Sequence, residues 1–110
     1  MNISYKRKKL KKQLSSGDEI KKNYGNMAKR ISQRMDDLRS FPHLAEMIDF
    51  PSLNCHKLRG DRQEEWAIKI SANYRLIFEL DHHPLPINED GVLDTKAVTD
   101  ICVIEIVDYH

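Results

Sequence analysis

The sequence predicts an α+β domain: N-terminal helices packed on a small antiparallel β-sheet. Three observations carry this. Ile20, Tyr24, Met27, Ile31, Met35 and Leu38 recur at helical spacing, so they lie on one stripe of a helix. From residue 55 the apolar period shortens to two, the period of half-buried strands. The helical patterns come first and the strand patterns follow, an order that segregates helices to one side of a sheet.

The elements follow in chain order. Ile3 and Tyr5 alternate with polar neighbours, which predicts a short strand. Residues 6–14 are helix-compatible, anchored by Leu10 and Leu14. The stretch SSGD breaks that pattern, and Asp18 is the expected N-cap of the next helix. That helix carries the apolar stripe, with Lys21, Lys22, Lys29, Arg30 and Arg34 on its opposite face. SFPHLAEMIDFPSLN reads as a turn, a short helical piece and a proline-bounded loop. EEWAIKIS places Trp66, Ile68 and Ile70 on one strand face. NYRLIFEL places Tyr74, Leu76, Phe78 and Leu80 on one face, with Arg75 and Ile77 on the other. The short Ser71–Asn73 connection predicts a hairpin. ICVIEIVDYH is apolar on both faces and is expected inside the sheet. Residues 81–100 form a polar insertion with Pro84, Pro86 and an Asp90–Gly91 turn, expected as a loop or protruding hairpin outside the core.

A chain of 110 residues, 40% hydrophobic and 32% charged, is expected to be one soluble domain spanning 1–110. No apolar run approaches a membrane span, and no h-region follows the basic start. Cys55 and Cys102 have no CxxC spacing, and with His82 and His83 they fit no standard zinc set. Reduced thiols, a cytoplasmic location, no metal and no cofactor are expected. Residues 1–39 hold 12 of the 18 Lys+Arg and 4 of the 17 acids, a net +8; residues 40–110 hold the other 6 bases and 13 acids, a net −7. A basic front suits a polyanionic or acidic partner, or is a set of solvated lysine faces.

Three polar clusters surround the predicted strands. CHKLRGDR supplies His56, Lys57, Arg59 and Arg62; the strand NYRLIF supplies Arg75; the closing DYH supplies Asp108, Tyr109 and His110. If the strands near 56–59, 75 and 107 lie side by side, these groups converge. Such a set suits cleavage of RNA by its own 2′-OH. Imidazoles transfer protons near neutrality, guanidiniums match phosphate oxygens, and a phenol stacks on a base. Singly each has a plain reading: a surface histidine, an arginine paired with Glu79 or Glu105, a frayed terminus.

The combination HKLRGDRQEEWAIKISANYRLIFEL…IEIVDYH resembles the HigB toxins of the RelE/ParE superfamily, along essentially the whole chain. LRGDR, NYRLIF and DYH are its most specific parts. The resemblance implies a RelE/ParE-like fold and a toxin that cuts mRNA codons in the ribosomal A site. It implies a HigA-like helix-turn-helix antitoxin that neutralises the toxin and reaches operator DNA. It places His56, Asp108, Tyr109 and His110 in the catalytic set. Arg59 and Arg75, with Lys57 and Arg62, fall on phosphate and RNA. Lys57 stands where proline commonly follows the histidine, and 81–100 is absent from the shortest members. The 70S ribosome's rRNA would meet Lys6, Arg7, Lys8, Lys9, Lys11, Lys12, Lys21, Lys22, Lys29 and Arg30, since phosphate contacts give sequence-independent affinity. The rival readings are a ParE-like gyrase inhibitor, an inactive co-repressor and a generic nucleic-acid-binding module.

Overall fold

The computed structural model describes residues 1–62 and 64–108. Strand β1 (Asn2–Tyr5) leads through Lys6 and Arg7 into helix α1 (Lys8–Gln13). Helices α2 (Gly17–Tyr24), α3 (Ala28–Ser40) and α4 (Leu44–Asp49) follow. Strands β2 (His56–Lys57), β3 (Glu65–Lys69), β4 (Tyr74–Leu80) and β5 (Asp100–Asp108) complete a sheet of order β1-β5-β4-β3-β2.

The α+β expectation holds, and the sheet is mixed. Pairs β2–β3, β3–β4 and β4–β5 are antiparallel, whereas β1 lies parallel to β5, with Ile3 opposite Ile101. The parallel edge arises because the helical segment carries the chain from one side of the sheet to the other between β1 and β2. The β3–β4 hairpin turns where expected, and β5 lies inside the sheet.

Local chemistry explains the helix ends. The α2 N-cap is Ser16, whose hydroxyl accepts from the Glu19 N–H at 3.2 Å; Asp18, the expected cap, sits inside the first turn, where its charge suits the helix dipole. The single helical stripe is two helices. Gly25 at φ 52° ends α2, and a 3₁₀ turn at Gly25–Met27 redirects the chain into α3. The stripe survives the break: Ile20, Ile31, Met35 and Leu38 are all buried. The Met1 ammonium donates to the carbonyls of Leu38, Arg39 and Phe41 at 3.2, 3.0 and 2.6 Å. It thereby satisfies the orphan acceptors at the C-terminus of α3.

The main core lies between helices and sheet: Leu10, Leu14, Ile31, Met35, Leu38, Leu44 and Met47 meet Trp66, Ile68, Leu76, Phe78, Ile101 and Val103. The Trp66 and Phe78 rings stack at 6.5 Å. The 81–100 insertion differs from expectation in its second half. A tight turn closes at Asn88–Val92, but Val98 is fully buried in the core, and its carbonyl accepts from Leu44 N at 3.0 Å. No helix among the described residues is long and apolar enough to cross a membrane.

Candidate functional site

The sheet face away from the helices carries the candidate site. Residues directly opposite one another share a face. His56 opposes Ala67, Ala67 opposes Ile77, and Ile77 opposes Glu105, one row across four strands. Ala67, Ile77 and Ile104 form a small buried patch under Leu58 and Val107. Polar groups frame that patch.

His56 is exposed at the β2 edge. Asn54, in the left-handed conformation at φ 46°, turns the chain into β2 and aims its carbonyl at the ring. The separation from Nδ1 to that oxygen is 2.8 Å. A carbonyl only accepts, so Nδ1 carries the proton and the neutral ring keeps its lone pair on Nε2. Nε2 has no partner among the described residues. Sequence reasoning missed Asn54, although an asparagine before a strand is a known left-handed turn signal.

Arg75 opposes Val107, so these two strands are neighbours as expected. Its Nη1 donates to the Ser71 and Tyr74 carbonyls at 2.7 and 3.0 Å. The expected pairing with Glu79 or Glu105 is taken by other cations: Lys6 reaches Glu79 at 3.3 Å, and Arg62 reaches Glu105.

The strand of His56 is not beside that of Arg75, because β3 intervenes. The local β2–β3 hairpin pairing puts it there. At sheet spacings the two Cα atoms stand about 12 Å apart on the same face.

Arg62 sits over this face on a 3₁₀ turn begun by Gly60 at φ 71°. Its guanidinium donates to Glu105 at 2.7 Å and Glu65 at 2.6 Å. These bonds, Glu105 first, raise its pKa further and already engage its charge. Arg59 is exposed, in the short segment between β2 and that turn. Lys57 opposes Trp66 and lines a cleft of about 480 Å³ under the insertion, with His82, Leu85 and Ile87. His82 anchors that insertion: its Nε2 accepts from the Thr99 and Asp100 N–H groups at 3.1 and 3.2 Å.

Asp108 opposes Tyr74, which packs on the main core, so its row faces the helix side, away from His56. Tyr109 and His110 lie outside the described residues. The ten basic ribosome-contact candidates are all exposed. Cys55 is buried in the core, where burial pushes its thiol up to about 12, while Cys102 is half-buried in β5. No cluster of three or more His, Cys, Asp or Glu among the described residues is placed to hold a metal ion.

No family model matches the chain, and no curated protein matches it in sequence. Among solved structures, the YoeB/ParE toxin from Agrobacterium tumefaciens aligns over 100% of this chain and 100% of that chain, with a TM-score of 0.53 and 12% identity. The likeness is one of fold: helices on a mixed sheet, of the RelE/ParE-like kind. It is to a YoeB/ParE toxin and carries the wider fold, not the HigB branch.

Proposed function

We propose that this protein is the toxin of a type II toxin–antitoxin pair, a HigB-like, ribosome-dependent mRNA endoribonuclease. The observation that carries the reading is His56, exposed on an open sheet face with its proton held on Nδ1 by Asn54. Nε2 is then ready to take the 2′-OH proton. The 2′-oxygen attacks phosphorus, the P–O5′ bond breaks, and a cyclic phosphate and a 5′-hydroxyl result. Arg59 and Arg75 meet the phosphate charge. Tyr109 and His110 stack and return a proton to the 5′-oxygen, whereas Asp108, whose row faces the helix side, stands off the reacting face. Arg62 borders the RNA path, whereas Lys57, opposite the core-facing Trp66, stands on the helix side of the sheet. This route requires no metal. The basic face of residues 6–30 holds rRNA, and the ribosome supplies the alignment that a shallow face lacks. The fold shared with a YoeB/ParE toxin supports the reading. A HigA-like helix-turn-helix antitoxin, binding operator DNA itself, neutralises the toxin in the cytoplasm.

The test is induced expression with 5′-end mapping of cellular mRNA. In-frame cuts should fall by about 10²-fold or more in His56→Ala and in His110→Ala. Growth arrest without cuts, persisting in both variants, would replace the nuclease by a ParE-like gyrase inhibitor. Purified protein should cut mRNA on 70S ribosomes; efficient cutting of naked mRNA would remove the ribosome from the mechanism.

A further inference from the structure

In the sequence Arg34 counts among the cations on the outward face of its helix. In the fold it turns inwards, with 17% of its side chain exposed. The three nitrogens of its guanidinium reach three different places. Nε donates to the Lys69 carbonyl at 2.8 Å, Nη2 to the Ser52 carbonyl at 3.1 Å and Nη1 to the Asp37 carboxylate at 3.0 Å. Asp37 accepts in turn from Gln33 at 3.0 Å, so the carboxylate that neutralises the guanidinium also aims it.

Both carbonyls belong to segments that carry the candidate site. Ser52 lies in the 3₁₀ turn Pro51–Leu53, two residues before Asn54, whose carbonyl holds the His56 proton. Lys69 ends β3 directly opposite Arg75, and the hairpin that follows offers the Ser71 and Tyr74 carbonyls to Arg75. The sheet alone joins these segments weakly, because β2 is an edge strand that pairs with β3 through two residues. Leu53 and Cys55 are buried beside it, but apolar burial is non-directional, whereas hydrogen bonds fix an angle. We propose that Arg34 is a positioning residue: its fork staples the His56 turn to the β3–β4 hairpin and holds His56 and Arg75 at a fixed separation across β3. It touches neither RNA nor the reacting atoms. Lysine does not replace it, because an ammonium is a point charge without a planar fork. The effect on rate rests on the nuclease reading above; the effect on geometry does not.

The test compares Arg34→Lys, which keeps charge and stem, and Arg34→Met, which keeps only the stem, with Ile31→Val. That control is a buried change on the same helix that lowers stability and leaves the staple alone. All are measured on the full chain, well below their unfolding midpoints. In ¹⁵N spectra the His56 ring nitrogens should move from the Nδ1–H form towards the tautomer mixture of a free imidazole in both Arg34 variants, and stay in place in Ile31→Val. On 70S ribosomes the maximal cleavage rate of the Arg34 variants should fall about tenfold or more, while the half-saturating ribosome concentration holds. Unmoved His56 nitrogens in Arg34→Lys overturn the proposal. So does an equal shift in Ile31→Val, or a weakened half-saturation at unchanged maximal rate, which would make Arg34 an rRNA contact. If Arg34→Met does not fold, Arg34→Lys alone decides. His56 nitrogens that shift in a protein that cuts nothing remove the nuclease and keep the staple; wild-type cleavage with no response in Arg34→Lys does the reverse.

Discussion

The two faces of the sheet are built from the same strands and do opposite work. Towards the helices, Trp66, Ile68, Leu76 and Phe78 are large, apolar and buried. On the other face their neighbours Glu65, Ala67, Lys69 and Arg75 leave only a small patch around Ile77, ringed by charge. The period of two lets one strand serve both ends: the first face holds the fold together, and the second is free to carry groups that cost stability elsewhere.

Substitutions can break this contrast. Phe78→Ala removes a fully buried ring and should cost about 3–5 kcal/mol, a large part of the stability of a small domain, read as a shifted denaturant midpoint. A loss as large from His56→Ala would erase the distinction between the faces.

The cysteines sharpen it next. Burial raises the Cys55 thiol from 9.0 to about 12, so the unfolded chain ionises first. The stabilisation from the neutral thiol is complete below the unfolded value and is lost as pH rises through about 12. Cys55→Ala should flatten that alkaline decline in an unfolding series. At neutral pH a thiol reagent should modify Cys102 before Cys55.

The next effect is smaller. Glu105→Gln removes one carboxylate from Arg62, but both groups are partly solvated, and Glu65 remains. The loss should stay below about 1 kcal/mol in the same unfolding assay. The smallest is His56→Ala, whose exposed ring should leave stability within about 0.5 kcal/mol while the proposed cleavage collapses.

What was legible follows the reach of each signal. The strand faces of residues 65–80 and the Ile20–Leu38 stripe were plain, because periodicity is a local record of burial. The bend at Gly25 was hidden because the stripe stays in phase through it; the Gly25–Asn26 pair was the missed sign. Ser16 and Asp18 are both good caps, and only the backbone geometry chooses between them. The parallel pairing of Ile3 with Ile101 leaves no local trace. Nor does the insertion of β3 between His56 and Arg75, or the capture of Arg62 by Glu105 from 43 residues away. The site was legible as an inventory of groups, and its layout was not.

The position of β5 between β1 and β4 also sets an order of events during synthesis. The basic segment emerges first and the strand that joins the two parts of the sheet emerges late. A nascent chain short of residue 100 has β1 and the β4–β3–β2 unit with nothing between them. Such long-range closure is slow, and unpaired intermediates invite proteolysis. The sheet, and with it the face that carries His56 and Arg75, is complete only once β5 has been made and paired.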